Sequence, residues 1–303
     1  MSNRSWIAVD WGTSNLRAWH VSATGAILDQ AQSDQGMATL EQAGFETALL
    51  ALITDWLPKD QVTSVIACGM VGARQGWIEA PYVAAPCPPP GMAQSVVAPV
   101  RDPRISLQIL PGVMQNAPPD VMRGEETQIA GFLATEPQFD GVLCMPGTHT
   151  KWVRISAGEI VSFQTFMSGE MFAILSQHSV LKHSVGTGWD RDAFAQAVSD
   201  GIARPQALAA RLFALRAAGL LSGMSPDTAR ASLSGYLIGL ELAGSRPYWL
   251  GQDVVVVGKT GLADNYAQAL IDQGATARMI DADGITLAGL GRAHAADQQE
   301  ADI

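Results

Sequence analysis

The sequence is short of charge and of cysteine. Only 16% of its 303 residues are Asp, Glu, Lys or Arg, against about 25% in ordinary soluble proteins. Hydrophobic residues make up 48%. Disorder requires the opposite balance, so a disordered chain is excluded. Basic residues are scarcer than acidic ones, 19 against 29, for a net charge of −10. A general nucleic-acid binder carries a basic face that neutralises phosphates, and this composition disfavours one. An anionic small molecule would have to be met by a few placed cations, not by the field of the whole protein.

The three cysteines, Cys68, Cys87 and Cys144, are odd in number and widely spaced. They suggest neither a disulfide framework nor a zinc site, and they fit a reducing, cytoplasmic compartment. The five histidines (His20, His149, His178, His183 and His294) show no metal-ligand spacing. His178 and His183 read as structural or surface residues. Met1 to Asp10 has no long apolar region and no cleavage-like site. No run of about 18 apolar residues is present, which excludes a membrane-spanning helix. There is no Walker pattern, and Ser14 lacks the Gly-x-Ser-x-Gly context of a hydrolase elbow. Asp297 to Ile303 is polar and acidic and reads as a frayed tail.

What is present is one layout, twice. Trp6 to Asp10 is an apolar run ending in Asp and predicts a buried strand. The turn Gly12-Thr13-Ser14-Asn15 leads to a strand over Leu16 to Val21. A hairpin turn at Thr24-Gly25 starts a third strand at Ala26. Phe45, Leu49, Leu52, Ile53 and Trp56 recur at helical spacing, and Val62 to Cys68 returns to strand. In the second half, Gly141 to Met145, Lys151 to Ile155 and Ile160 to Phe166 repeat the meander, with turns at Pro146 to Thr150 and Ala157-Gly158. A helical region begins near Gly169 and further helices fill Asp190 to Ala243. Then come a strand at Asp253 to Val257, a helix at Gly261 to Gln273, a strand at Ala275 to Ile280 and a helix at Gly284 to Ala296. Ala80 to Gly91 holds five prolines and cannot be a helix. It predicts a surface or lid loop. The repeat places a boundary near Glu136 to Asp140, giving lobes of 1–137 and 138–303. A site between lobes is a favoured ligand location.

Several segments could carry chemistry. The Gly12 to Asn15 turn offers backbone N–H groups and side-chain donors that suit an anion, or it is an ordinary polar β-turn. Asp10, at the strand end, suits Mg²⁺ directly or through water. Gly147, Thr148 and Lys151 occupy the matching turn of the second half. Two such turns at equivalent places make coincidence less credible. Gly258-Lys259-Thr260-Gly261 joins a strand to a helix start, where free N–H groups favour phosphate. Arg123-Gly124-Glu125-Glu126 opens a helix. Its acids either complement the helix dipole or include a catalytic base, with Arg123 beside them for an acidic substrate. Gly69 to Gly76 has three glycines in eight residues, implying a tight loop. Trp77 beside it either floors a sugar-like pocket or caps the core. Glu170 is a helix-start charge or a site residue.

The duplicated meander with DWGTSN and PGTHTK, plus a late VVGKTGL, resembles the sugar kinase, hexokinase, actin and Hsp70 ATPase superfamily. Closer still, WIAVDWGTSNLRAW, GMVGARQGWIEAPY, VMRGEETQ, MPGTHTKWV and TFMSGE resemble the 2-dehydro-3-deoxygalactonokinase family, over residues 6 to 170. That resemblance implies an α/β chain of two ribonuclease H-like domains, the actin-like ATPase fold, closing a cleft on Mg-ATP. It implies phosphorylation of the C6 hydroxyl of 2-dehydro-3-deoxy-D-galactonate in galactonate and galactose catabolism. On these residues Asp10 would hold Mg²⁺. Gly12, Thr13, Ser14, Asn15, Gly147, Thr148 and Lys151 would hold phosphate, with Gly258 and Gly261 on the nucleotide. Lys259 departs from the small residues usual in that turn. Related kinases place their catalytic Asp about 20 residues before the second phosphate turn, and both Glu125 and Glu126 fall in that window. Arg17 and Arg123 would meet the substrate carboxylate, with Gly72, Arg74 and Trp77 shaping the pocket. The alternatives are a same-fold kinase for another small sugar or sugar acid, such as 2-keto-3-deoxygluconate or an amino sugar, and a non-catalytic ATP-dependent sensor. The low charge and high apolar content also allow a homodimer.

Overall fold

The fold was taken from a computed structural model, which describes residues 5–301, with side chains to residue 298. The chain forms two compact units. The first takes the chain up to Phe139, Ser156–Val161 and the segment from Ala282 onward; the second takes Asp140–Ile155 and Ser162–Asp281. The sequence division at 137/138 gave everything after it to one lobe. The segment from Ala282 instead groups with the first unit.

In the first unit, β1 (Trp6–Trp11), β2 (Leu16–Val21) and β3 (Ile27–Ser33) form an antiparallel meander, followed by α1 (Phe45–Ile53) and β4 (Thr63–Gly69). Next come β5 (Tyr82–Ala84), β6 (Val96–Val97), β7 (Ile105–Ile109), β8 (Gly112–Asn116), β9 (Pro119–Met122) and α2 (Glu125–Thr135). The main sheet has the order β3-β2-β1-β4-β7-β6, with β4 parallel to β1 and β7 parallel to β4. A second sheet, β5-β8-β9, was not legible in the sequence. Its β5 lies inside the proline-rich stretch expected to be a loop.

The central strand is apolar along both faces because both are covered. Ile7, Val9 and Trp11 pack with Phe45, Leu49 and Ile53 of α1. The alternate residues Trp6 and Ala8 pack with Leu290 and Ala293 of the C-terminal helix, Ala282–Ala301. The period of two therefore sends Asp10 to the C-terminal-helix face. Arg17, directly opposite in the β1–β2 register, shares that face. The C-terminal helix runs five residues beyond the expected Ala296, so Asp297 to Ala301 are helical and not a frayed tail; Asp302 and Ile303, like Met1 to Arg4, lie outside the described residues. It crosses α2 with backbone almost against backbone. A Cβ on Gly131 would sit 1.8 Å from the Ile285 carbonyl oxygen, and one on Gly289 1.9 Å from that of Thr127.

The second unit repeats the start. β10 (Gly141–Met145), β11 (Thr150–Ser156) and β12 (Glu159–Phe166) are followed by α3 (Ser168–His178), α4 (Arg191–Ala203), α5 (Leu208–Leu221), α6 (Pro226–Gly244) and α7 (Arg246–Trp249). Then come β13 (Asp253–Val257), α8 (Leu262–Asp272) and β14 (Thr276–Ile280). The sheet order is β12-β11-β10-β13-β14, with β13 parallel to β10 and β14 parallel to β13. Three consecutive strands followed by parallel ones is also the pattern of the first sheet. α4 starts on Asp190, whose carboxylate accepts the Ala193 N–H, and α6 starts on Ser225 with Pro226 behind it. Among the described residues no helix is long and apolar enough to cross a membrane.

Candidate active site

In the first unit the β1–β2 turn is held from outside. The Gly12 and Thr13 carbonyls accept the N–H groups of Met37 and Ala38, at 3.0 and 2.9 Å. Gly36 presses on Ser14 so closely that a Cβ there would lie 2.3 Å from the Ser14 carbonyl carbon. Thr13, Ser14 and Asn15 remain exposed, and the Gly12 N–H closes the turn on the Asn15 carbonyl at 2.9 Å. Asp10, at the strand end, accepts from Arg17 Nη2 at 2.5 Å. Arg17 also pairs with Asp283, at the start of the C-terminal helix. Arg17 is thus engaged with two carboxylates rather than presented to a ligand. Its guanidinium is held above its ordinary value by them, against the opposing effect of burial.

Gly69, at the end of β4, draws distant residues together. A Cβ on it would meet the Trp11 carbonyl oxygen at 2.7 Å and Asp10 Oδ1 at 3.5 Å, and its φ is +94°. Gly124, at φ +112°, lies on its other side: a Cβ there would be 3.3 Å from the Gly69 Cα. Only glycine fits this approach. Asp10 and the start of α2 therefore flank one residue. Gly69 falls in the glycine-rich loop noted in the sequence, but its role follows only from the positive φ and the contact.

The start of α2 separates its two acids. Glu126 is 1% exposed, and both of its carboxylate oxygens accept the Gly124 N–H, at 2.7 and 2.9 Å. Burial, with Glu125's charge as the second cause, pushes Glu126 up to about 8. Glu125 is half-buried, and its Oε2 accepts the Arg123 N–H at 3.0 Å. Arg123 is buried. Its Nη2 donates to the Ala80 carbonyl at 2.8 Å, its Nε to the Tyr82 hydroxyl at 3.3 Å, and its guanidinium lies 4.1 Å over the Tyr82 ring. Its Nη1 is buried and makes no hydrogen bond. Gly72 leaves room for that nitrogen, since a Cβ there would be 3.0 Å from it. A buried, unmatched charged donor is costly to keep.

Two expected pocket residues are placed elsewhere. Trp77 is a core residue: its rings pack on Trp11 and Phe45 and its indole N–H donates to the Pro99 carbonyl. An aromatic residue after a glycine loop does not reveal from sequence which side it faces. Arg74 is exposed and paired loosely with Glu79, at 3.4 Å.

In the second unit a cavity of about 600 Å³ is lined by Gly147, Thr148, Ser168, Trp189, Gly261 and Tyr266, among others. This volume suits a nucleoside-sized ligand. The start of α3 is stitched to the β10–β11 turn. A Cβ on Gly169 would stand 2.1 Å from the Gly147 carbonyl oxygen, and the Glu170 N–H donates to the Thr148 carbonyl at 2.9 Å. The Glu170 side chain pairs with His149 at 2.7 Å. Lys151 is 5% exposed and sits below the turn, its Nζ 3.5 Å from the His149 carbonyl oxygen. It occupies the register position of Arg17 in the first unit, opposite Met145 where that unit has Asp10. Gly261 opens α8 at φ +95°, with its N–H taken by Asp264 at 2.7 Å. Gly258 donates to the Ile280 carbonyl at 3.1 Å and Lys259 is exposed. Among the described residues no group of three or more His, Cys, Asp or Glu could hold a metal.

The mixed α/β fold is shared with solved proteins of low sequence identity. The activator of the 2-hydroxyisocaproyl-CoA dehydratase from Clostridium difficile, solved with bound ADPNP, superposes with a TM-score of 0.52 at 10% identity, over 99% of this chain and 98% of that one. A crystal structure of a candidate 2-dehydro-3-deoxygalactonokinase from Sinorhizobium meliloti superposes with a TM-score of 0.89 at 40% identity, covering 96% and 99% of the two chains. The 2-dehydro-3-deoxygalactonokinase of Escherichia coli is 34% identical, over 94% of this chain and 96% of its own. The protein named "Probable 2-dehydro-3-deoxygalactonokinase DgoK1" of Rhizobium meliloti is 42% identical, over 94% and 95%. The sequence model of the 2-keto-3-deoxy-galactonokinase family matches residues 10–293, and the chain belongs to that family.

Proposed function

We propose that this chain is an ATP-dependent kinase that phosphorylates the C6 hydroxyl of 2-dehydro-3-deoxy-D-galactonate. Family membership supports the substrate. The observation that carries the site is the gathering of Asp10 and the start of α2 around Gly69, below an exposed Gly-Thr-Ser-Asn turn. The second unit supplies the matching Gly147-Thr148 turn beside a cavity of nucleotide size. The common strand order of the two sheets supports reading both units as ribonuclease H-like lobes.

Phosphoryl transfer asks the protein mainly for positioning and charge neutralisation. In this reading Gly12 to Asn15 and Gly147-Thr148 hold the phosphates, and Gly261 lets α8 begin close to the nucleoside. Lys151 braces its turn from below. Arg123 supplies the positive charge that draws the substrate carboxylate, and the stacked Tyr82 fixes the guanidinium's plane. Glu125 accepts the C6 hydroxyl proton. The choice over Glu126 rests on access: Glu126 is buried with both oxygens on Gly124, whereas Glu125 is half-exposed. Glu126 therefore shapes the helix start. Asp10 fits Mg²⁺, which characteristically takes one or two carboxylates plus substrate phosphates. When bound, that ion neutralises phosphate charge. Arg17 and Asp283 fix the rotamer of Asp10.

A coupled ATPase assay over a panel of sugar acids, with mass analysis of the product, tests the proposal. Turnover with 2-dehydro-3-deoxygalactonate giving a C6 monophosphate supports it. Turnover only with another sugar or sugar acid, or slow hydrolysis indifferent to any sugar, refutes the substrate.

A further inference from the structure

Glu241, in α6, is a carboxylate set in the core of the second unit, 1% exposed. A carboxylate in such a place is expensive to keep unless its oxygens are fully hydrogen-bonded. Here three donors meet it. Trp152 Nε1 donates to Oε1 at 2.8 Å, the Tyr266 hydroxyl donates to Oε2 at 2.8 Å, and the Ser168 hydroxyl donates as well. Burial pushes Glu241 above the usual carboxylate range and the three donors pull it back.

The Tyr266 hydroxyl has a single proton and donates it to Glu241 Oε2, and that fixes the direction of the next link. Tyr266 spends its proton on Glu241, so the Thr150 hydroxyl, 3.0 Å away, donates to the Tyr266 oxygen. The three donors come from β11 (Trp152), α3 (Ser168) and α8 (Tyr266), with Thr150 of β11 one bond further on, so α6 is tied to three other elements at one point. Two of them, Ser168 and Tyr266, also line the cavity. Thr150 ends the Pro146 to Thr150 turn. Ser168 opens α3, whose next two residues clamp that turn's other part: Gly169 against the Gly147 carbonyl and Glu170 N–H on the Thr148 carbonyl. One buried group therefore reaches the turn from both ends. An apolar side chain of similar size would fill the same space more cheaply, without setting either end.

We propose that Glu241 is a positioning residue for the nucleotide: through Tyr266–Thr150 and through Ser168 it fixes the turn that receives the phosphates. This rests on the reading of that turn and cavity as the ATP site. The role is separable from simple core stability, because a positioned turn affects one substrate and not the other.

The test uses the full-length protein, with ATP affinity by calorimetry, both KM values, kcat and thermal midpoints. Tyr266→Phe and Thr150→Val each remove one hydroxyl at nearly constant shape. Each is expected to raise the ATP KM and Kd about five- to tenfold, the range of one lost buried hydrogen bond. The sugar-acid KM should stay within about twofold, and the double variant should be no worse than either single one, since both break the same link. Glu241→Gln, which keeps an acceptor, should retain more ATP affinity than Glu241→Leu. If these variants lower the thermal midpoint while ATP affinity is unchanged, or raise both KM values alike, Glu241 is structural only and the proposal is wrong. If the unaltered protein shows no ATP binding by calorimetry, the ATP-site reading falls and this inference with it.

Discussion

Glu126→Gln gives the sharpest physical test of the α2 start. Glu126 is buried and carries an ordinary carboxyl's 4.5 up to about 8, by burial first and Glu125's charge second. A carboxyl raised in this way holds its proton more tightly folded than unfolded. Below pH 4.5 both states are protonated and nothing is lost. Between 4.5 and about 8 the unfolded state sheds a proton that the folded state keeps, so stability falls as pH rises. Each pH unit in that window is about 1.4 kcal/mol, so the loss is about 3 kcal/mol by pH 7 and about 5 kcal/mol above pH 8. For a domain of 150–250 residues about 1 kcal/mol moves the midpoint by about 2–4 °C, so the full drop is about 10–20 °C. Glutamine keeps the shape and an acceptor for the Gly124 N–H but has no proton to lose. Thermal melts from pH 5 to pH 8.5 should show the unaltered protein falling and Glu126→Gln falling distinctly less, with a residual slope from Glu241, which burial also raises. The variant should be close to equal at pH 5 and the more stable one at pH 8.5. Two parallel curves would sink the assignment of Glu126 as a buried, raised carboxyl.

Other expectations follow from the same site. Glu125→Gln should lower kcat by about 10²-fold or more with KM values nearly unchanged, because a proton acceptor is lost and binding is not; full activity in steady-state assays would move the base elsewhere. Arg123→Lys keeps the charge but loses the planar fork on Tyr82 and Ala80, and should raise the sugar-acid KM about tenfold or more while ATP affinity stays constant. An effect confined to ATP would reassign Arg123 to the nucleotide. Asp10→Asn should raise the Mg²⁺ concentration needed for half-maximal rate about tenfold. A magnesium titration superimposable on that of the unaltered protein would remove Asp10 from the metal.

The parts of the fold that the sequence exposed are those where burial is two-sided or alternation is strict. Gly141 to Met145 and, after its leading Asp, Asp253 to Val257 are unbroken apolar runs, and they are strands over those same residues. The helix at Gly261 to Gln273 was off by one residue at each end. What escaped depends on partners that periodicity does not name. β5 is three residues long amid prolines and becomes a strand only because β8 pairs with it. The C-terminal helix is legible as a helix, but not that its Leu290 and Ala293 cover Trp6 and Ala8. In the site, the two turns and the acid pair were visible as residue types. Glu125 and Glu126 stand next to each other and spacing treats them alike. Turning by about 100° per residue along the helix buries one and leaves the other half-exposed. Glu241 carried no signal, since an isolated acid in an apolar helix has no motif.

The grouping of the C-terminal helix with the first unit has a consequence for the order of events during synthesis. Apart from Ser156–Val161, the second unit lies in sequence between the first unit's two main segments, and all of it is synthesised before Ala282. The first unit has to wait. Until Leu290 and Ala293 emerge, one face of its β1 strand lacks its cover, and Gly131 of α2 lacks the backbone it was made to touch. Because domains tend to fold as units while synthesis proceeds, the unit whose residues come first is completed last. Its uncovered Trp6–Ala8 face is then the surface a nascent chain most needs to keep from aggregating.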